Sequence, residues 1–116
     1  MSYDLAFWKQ KPNCTGRPAN IYRDLLDGRA VDGLDTISTA EFLSRVGQQF
    51  PGIVSDGGLV FWEGGKRGMF EVYSSDQYVH FCCRQMSRDD MNALIELAAE
   101  FDCRLYDPQE DRRFDG

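Results

Sequence analysis

The chain has one histidine, His80, in Gln77-Tyr-Val-His-Phe-Cys-Cys83, so any chemistry that needs an imidazole must use that ring. Strand alternation places His80 on one face with Tyr78 and Cys82, opposite Val79 and Phe81. A Cys–His nucleophilic pair requires hydrogen-bond reach, whereas residues two apart on a strand stand roughly 7 Å apart. Cys82 and His80 therefore make a poor dyad, and a thiol such as Cys103 would have to be brought across the sheet. A structural or interface role suits His80 better. The four cysteines, Cys14, Cys82, Cys83 and Cys103, lack the paired C-x-x-C spacing of a zinc site, and adjacent Cys82 and Cys83 point to opposite strand faces. They read as free buried thiols, with no metal and no cofactor expected.

The carboxylates are more informative. Between Asp89 and Asp111 lie eight, Asp89, Asp90, Glu96, Glu100, Asp102, Asp107, Glu110 and Asp111, against one base, Arg104. Acid–base catalysis would need two of them facing a pocket with one pKa raised by burial. Asp89 and Asp90 instead occupy a first helical turn, where the macrodipole favours acids, and Glu96 and Glu100 form an i,i+4 pair on a solvent face. The segment lacks the alternating ligands, central glycine and distal Glu of a calcium loop. Gly64-Gly-Lys-Arg-Gly68 lacks the strand–loop–helix context of a phosphate-binding loop and reads as a solvated hairpin turn. No enzymatic activity is expected. Concentrated negative charge on a small domain points instead to docking on something basic, since complementary potentials steer encounter and select partners.

The net charge of −6 argues against direct nucleic-acid binding, which needs clustered Lys and Arg. With 42% hydrophobic and 13% aromatic residues in 116, the composition fits one packed domain spanning 1–116. The longest apolar runs, such as Gly58-Leu-Val-Phe-Trp62, fall far short of a membrane span, and Met1-Ser-Tyr-Asp-Leu5 lacks the features of a signal peptide. A cytoplasmic location without membrane association is the expectation.

The elements that must position these residues follow from periodicity. Tyr3 to Trp8 alternates as a strand; Ala19 to Asp27 carries Ile21, Tyr22, Leu25 and Leu26 at helical spacing before Gly28. Ser38 and Glu41 form a capping box for a second helix, with Phe42, Leu43, Val46 and Phe50 inward and Pro51-Gly52 as its stop. Leu59–Glu63, Gly68–Ser75 and Gln77–Arg84 read as an antiparallel meander. Ser87 starts a third helix with Met91, Leu94, Ile95, Ala98 and Phe101 inward, and Cys103–Tyr106 is a last strand, followed by a hydrophilic surface tail. The order strand, helix, helix, strand, strand, strand, helix, strand predicts an α+β two-layer sandwich: one mostly antiparallel five-stranded sheet with its helices on one face. The last strand should run parallel to its predecessor, as a right-handed crossover requires. The other face would be partly open, with Trp8, Trp62, Tyr73, Tyr78 and His80 on it.

The opening Met1-Ser-Tyr-Asp-Leu-Ala-Phe-Trp-Lys9, the Phe61-Trp62 pair in the meander and the ending Leu94 to Gln109 with its Tyr106-Asp-Pro-Gln turn resemble small bacterial proteins that begin with a Tyr-Asp-Leu strand. In size, acidity and aromatic content the chain is similar to immunity proteins of polymorphic-toxin and contact-dependent inhibition systems. That resemblance implies a protein that binds a cognate basic toxin domain, such as a nuclease, and occludes its active site. On this reading Asp89, Glu96, Glu100, Asp107, Glu110 and Asp111 supply charge, and Trp62, Tyr73, Tyr78 and Tyr106 are the aromatic anchors. The alternative is a small enzyme or ligand-binding domain using the open sheet face around His80.

Overall fold

The computed structural model describes residues 2–114. In it the chain is an α+β domain with three α-helices and one antiparallel sheet. Its elements are β1 (Ser2–Trp8), α1 (Pro18–Leu26), α2 (Thr39–Gln49), β2 (Val54–Asp56), β3 (Leu59–Glu63), β4 (Met69–Ser74), β5 (Tyr78–Arg84), α3 (Arg88–Ala99), β6 (Arg104–Asp107) and β7 (Arg112–Arg113). The sheet has seven strands, in the order β2-β3-β4-β5-β1-β6-β7, where five were expected. Both additions are short hairpin partners at the edges. Gly57 and Gly58, with φ of +58° and +86°, make the two-residue turn that folds β2 onto β3, a conformation that suits glycine at both positions. At the other edge the hydrophilic tail folds back, and Arg112 and Arg113 pair with Asp107 and Tyr106. β5 and β6 run parallel with β1 between them, as a strand–helix–strand crossover predicts.

The helices do not share one face, which corrects the two-layer expectation. Odd-numbered residues of β1, Leu5 and Phe7, face α2 and α3 in a large core with Phe42, Val46, Phe50, Phe70, Phe81, Leu94 and Leu97. The even-numbered Ala6 and Trp8 are equally buried, against Ile21 and Leu25 of α1, Leu34, Tyr78 and Tyr106. Ala6 and Trp8 already break a simple apolar–polar alternation, because a strand covered on both faces is apolar at consecutive positions. Phe42 anchors the larger core, its ring centroid 6.4 Å from Phe7, 6.3 Å from Phe81 and 5.1 Å from Phe101. Truncating it to Ala would cost about 4 kcal/mol.

Local capping follows the sequence in one helix and not in the other. Ser87 accepts from the Asp90 amide at 3.1 Å and caps α3. Ser38 makes no side-chain cap for α2, so the capping box is not formed; Thr39 Oγ1 instead donates to the Ser75 carbonyl at 2.7 Å, tying the helix start to the β4–β5 turn. Gly64-Gly-Lys-Arg-Gly68 is also more than a solvated turn. Arg67 donates to both Asp90 oxygens, at 2.9 and 3.3 Å, and lies over the Trp62 and Phe50 rings at 5.1 and 5.6 Å. A Cβ on Gly64 would stand 2.2 Å from the Trp62 ring, so this stack requires glycine there.

Candidate functional site

The two ends of the chain close on each other. Tyr3 donates its hydroxyl to Asp107 Oδ2, while Asp107 Oδ1 accepts from the Gln109 backbone amide at 2.9 Å and from Gln109 Nε2 at 2.5 Å. Thus fixed, the Gln109 amide group bonds both backbone groups of Asp4, its Oε1 accepting at 2.6 Å and its Nε2 donating at 3.0 Å. Where β6 stops, a side chain continues the ladder on β1. The Tyr-Asp-Leu opening and the Tyr-Asp-Pro-Gln ending are therefore parts of one structural clasp. Asp107 is 2% exposed and serves this clasp, which corrects its assignment as a partner-facing charge.

Five of the eight carboxylates in the acidic segment prove to have internal partners. Asp90 pairs with Arg67, Glu100 with Arg45 through bonds of 3.1 and 3.2 Å, Asp102 with Lys9 at 3.8 Å, Asp107 with Tyr3, and Asp111 accepts from Tyr106 at 2.7 Å. The bases come from Lys9, Arg45 and Arg67, distant in sequence, so nothing local in the segment announces them. Asp89, Glu96 and Glu110 remain exposed and make no hydrogen bond or ion pair among the described residues. The aromatic anchors divide in the same way. Trp62 is interior, packed on Phe50 and Phe70 at 5.0 and 5.4 Å on the α2 side of the sheet, so it is absent from the face where it was expected. Tyr78 and Tyr106 are buried beneath α1. Their role is packing, and only Tyr73, 45% exposed, presents its ring to solvent.

Tyr73 belongs to the part of the sheet that α1 leaves uncovered. One row of this face runs Val54, Phe61, Glu71, Cys82, Asp4 across five strands; the next carries Tyr73, His80, Ala6 and Tyr106. Leu59 and Asp56 pair alongside. Val54, Leu59 and Tyr73 account for three of the four exposed large hydrophobics among the described residues. Interleaved with them are Asp4, Asp56, Glu63 and Glu71, against Arg84 as the one cation on the same face of β1–β5. Sequence reasoning missed Val54, Asp56 and Leu59 as a surface because it passed over Asp56-Gly-Gly-Leu59, which carries the signal of a two-residue hairpin.

The polar groups at the centre of this face are tightly engaged. His80 Nε2 lies 3.0 Å from Asp4 Oδ1 and 3.4 Å from the Tyr22 hydroxyl, with the Tyr22 and Tyr73 rings at 5.6 and 5.9 Å. Its Nδ1 is buried without a partner. Tyr73 donates to Glu71 at 2.7 Å, and that bond raises the phenol pKa. Burial, then the Asp4 carboxylate beside it, raises the Tyr22 hydroxyl to about 12. Burial, followed by the same carboxylate, pushes the Cys82 thiol up. A thiol held neutral is a poor nucleophile. Cys103 lies in the core on the opposite side of the sheet, raised to about 11 by burial, and so is no partner for His80. Among the described residues no group of three or more His, Cys, Asp or Glu is placed to hold a metal ion. Likewise, no described helix is long and apolar enough to cross a membrane.

The arrangement defines an acidic, aromatic-bearing sheet surface on an α+β domain. No protein-family model, no curated protein and no solved structure matches the chain.

Proposed function

We propose that the chain is an immunity-type inhibitor: a non-enzymatic protein that binds a cognate basic toxin domain, such as a nuclease, and occludes its active site. The observation that carries this reading is the open sheet face, where exposed Val54, Leu59 and Tyr73 stand among Asp4, Asp56 and Glu71. Apolar and aromatic side chains supply most of the affinity of such interfaces, while carboxylates set the partner's sign and speed encounter. A cationic cleft evolved for phosphate presents the complementary surface. Asp89, Glu96 and Glu110, on the far side of the domain, add to the long-range field and sit outside the contact.

The test is a titration of the purified chain against the purified product of the adjacent upstream reading frame, where a toxin would be encoded. A one-to-one complex that silences the toxin's activity is the expected result, with Tyr73→Ala weakening it. A neighbour that is non-toxic, or whose toxicity this chain leaves untouched, sinks the reading. The alternative of a small enzyme around His80 draws on the Asp4–His80 pair and the orphaned Nδ1. It requires a turnover that disappears in His80→Ala while the fold is retained.

A further inference from the structure

On the α2–α3 side of the sheet, α3 stands away from the β6–β7 hairpin and leaves a cavity of about 590 Å³. This lies within the range of small-molecule sites, and a largely apolar pocket with a few convergent polar groups is the usual form of one. Its apolar lining comes from Leu5, Met91, Ile95, Ala99, Leu105 and Phe114. Leu5 and Leu105 come from adjacent strands, Met91, Ile95 and Ala99 from α3, and Phe114 from the end of the hairpin, where its backbone N–H donates to the Leu105 carbonyl at 2.9 Å. A helix four-residue repeat aligns Arg88, Asn92 and the Ile95/Ala99 pair along the same wall. Neither the Arg88 guanidinium nor the Asn92 amide makes a hydrogen bond or ion pair among the described residues, yet both line the cavity.

Three carboxylates line the cavity, with different standing. Asp102 pairs with Lys9, Asp107 is occupied by Tyr3 and Gln109, and Glu110 has neither a hydrogen bond nor an ion pair among the described residues. Arg88 brings five N–H donors and Asn92 two, against the Glu110 carboxylate and the Asn92 carbonyl oxygen as the unengaged side-chain acceptors. We infer that this cavity is a binding site for a small amphiphile with an anionic head, an acyl-chain carboxylate, its tail along Leu5, Ile95, Leu105 and Phe114 and its head on Arg88 and Asn92. The site is on the opposite side of the sheet from the proposed inhibitor surface and stands independently of that reading.

Decanoate, decan-1-ol and decylamine, each titrated into the full chain by calorimetry, test the site directly. Decanoate should bind saturably, one per chain, and more tightly than the alcohol or the amine. Arg88→Gln should weaken decanoate about tenfold, the loss of one charge-assisted hydrogen-bonding group, and leave decan-1-ol unchanged. Glu110→Gln should tighten decanoate by removing a like charge. Ala99→Trp, at an exposed helix position, should block both ligands while circular dichroism shows an intact fold. Absence of saturable decanoate binding overturns the proposal, as does decanoate binding that survives Ala99→Trp or an amine that binds more tightly than the acid.

Discussion

The acidic flank built by α3, β6 and β7 and the open face of the sheet have the same sign of charge, but they differ in what that charge is doing. On the flank, Asp90, Glu100 and Asp102 are neutralised by Arg67, Arg45 and Lys9, Asp107 and Asp111 are held by the Tyr3 and Tyr106 hydroxyls, and five of the eight carboxylates are thereby fixed within the fold. On the sheet face Asp4 is paired with His80 and Glu71 accepts from Tyr73, but here the carboxylates, Asp56 and Glu63 included, alternate with exposed apolar side chains, and Arg84 is the one Lys or Arg among them on β1–β5. Density of charge along a sequence is thus a poor guide to charge available for recognition. What matters is whether tertiary partners have already claimed it, and whether apolar area lies beside it to bury.

The largest effect that would sharpen this contrast is at Asp107. Asp107→Ala should destabilise the fold by about 3 kcal/mol, because it strands the Tyr3 hydroxyl and the Gln109 amide that completes the β1 edge. Thermal unfolding measures it, and a variant as stable as the parent would return Asp107 to the partner-facing set. Next is Tyr73→Ala, which on the proposed inhibitor reading should cost about 2 kcal/mol of partner binding and little stability, since the ring is exposed and held by Glu71. Equal binding by the variant would move the contact off the sheet face.

A smaller and kinetic effect is expected on the flank. Glu96→Gln with Glu110→Gln should slow association a few-fold and reduce its dependence on ionic strength, because exposed charge acts through a field screened within about 8 Å at physiological salt. Stopped-flow rates against salt decide it; a loss expressed in dissociation instead would place those residues inside the interface. Glu100→Gln, which releases the partly exposed Arg45 pair, should change stability by no more than about 1 kcal/mol and leave the association rate nearly unaltered.

Alkaline pH probes the buried side of the comparison. Cys83 is raised to about 12 and Cys103 to about 11 by burial; Tyr22 and Tyr106 are raised to about 12 by burial first, and Tyr3 to about 12 by its bond to Asp107 first. Each group keeps its proton longer folded than unfolded. The stabilisation is therefore complete below the ordinary thiol value near 9 and is lost as pH rises toward 12. Denaturant melts should show a plateau to about pH 9 and a steady fall above it. Stability that stays flat from about pH 9 to about pH 11 would show that these groups titrate alike folded and unfolded and are not shielded as the fold implies.

Periodicity alone determined most of the secondary structure: the strands at Tyr3–Trp8, Leu59–Glu63 and Tyr78–Arg84 and the helix opened by Ser87 all stand within a residue or two of where their patterns place them. These are local signals, in which side-chain alternation and a capping hydroxyl act over a few residues. The short edge strands were written less clearly, β2 behind a Gly57-Gly58 turn that was passed over and β7 in two arginines with no β-forming pattern at all. Which face each helix covers was not legible, because Ile21 and Phe42 are both ordinary inward positions on amphipathic helices. Only packing decided that Ile21 meets Trp8 and Phe42 meets Phe7 on opposite sides of one strand. The fate of the charges was likewise a tertiary matter: Glu100 and Arg45 are 55 residues apart, Asp107 and Tyr3 are 104 apart, and composition can count such groups without knowing which will meet. The sequence by itself set the elements and the net charge, since both depend on near neighbours or on none. The pairing of distant residues, and with it the identity of the surface left open, depended on long-range contacts that form only when the chain folds.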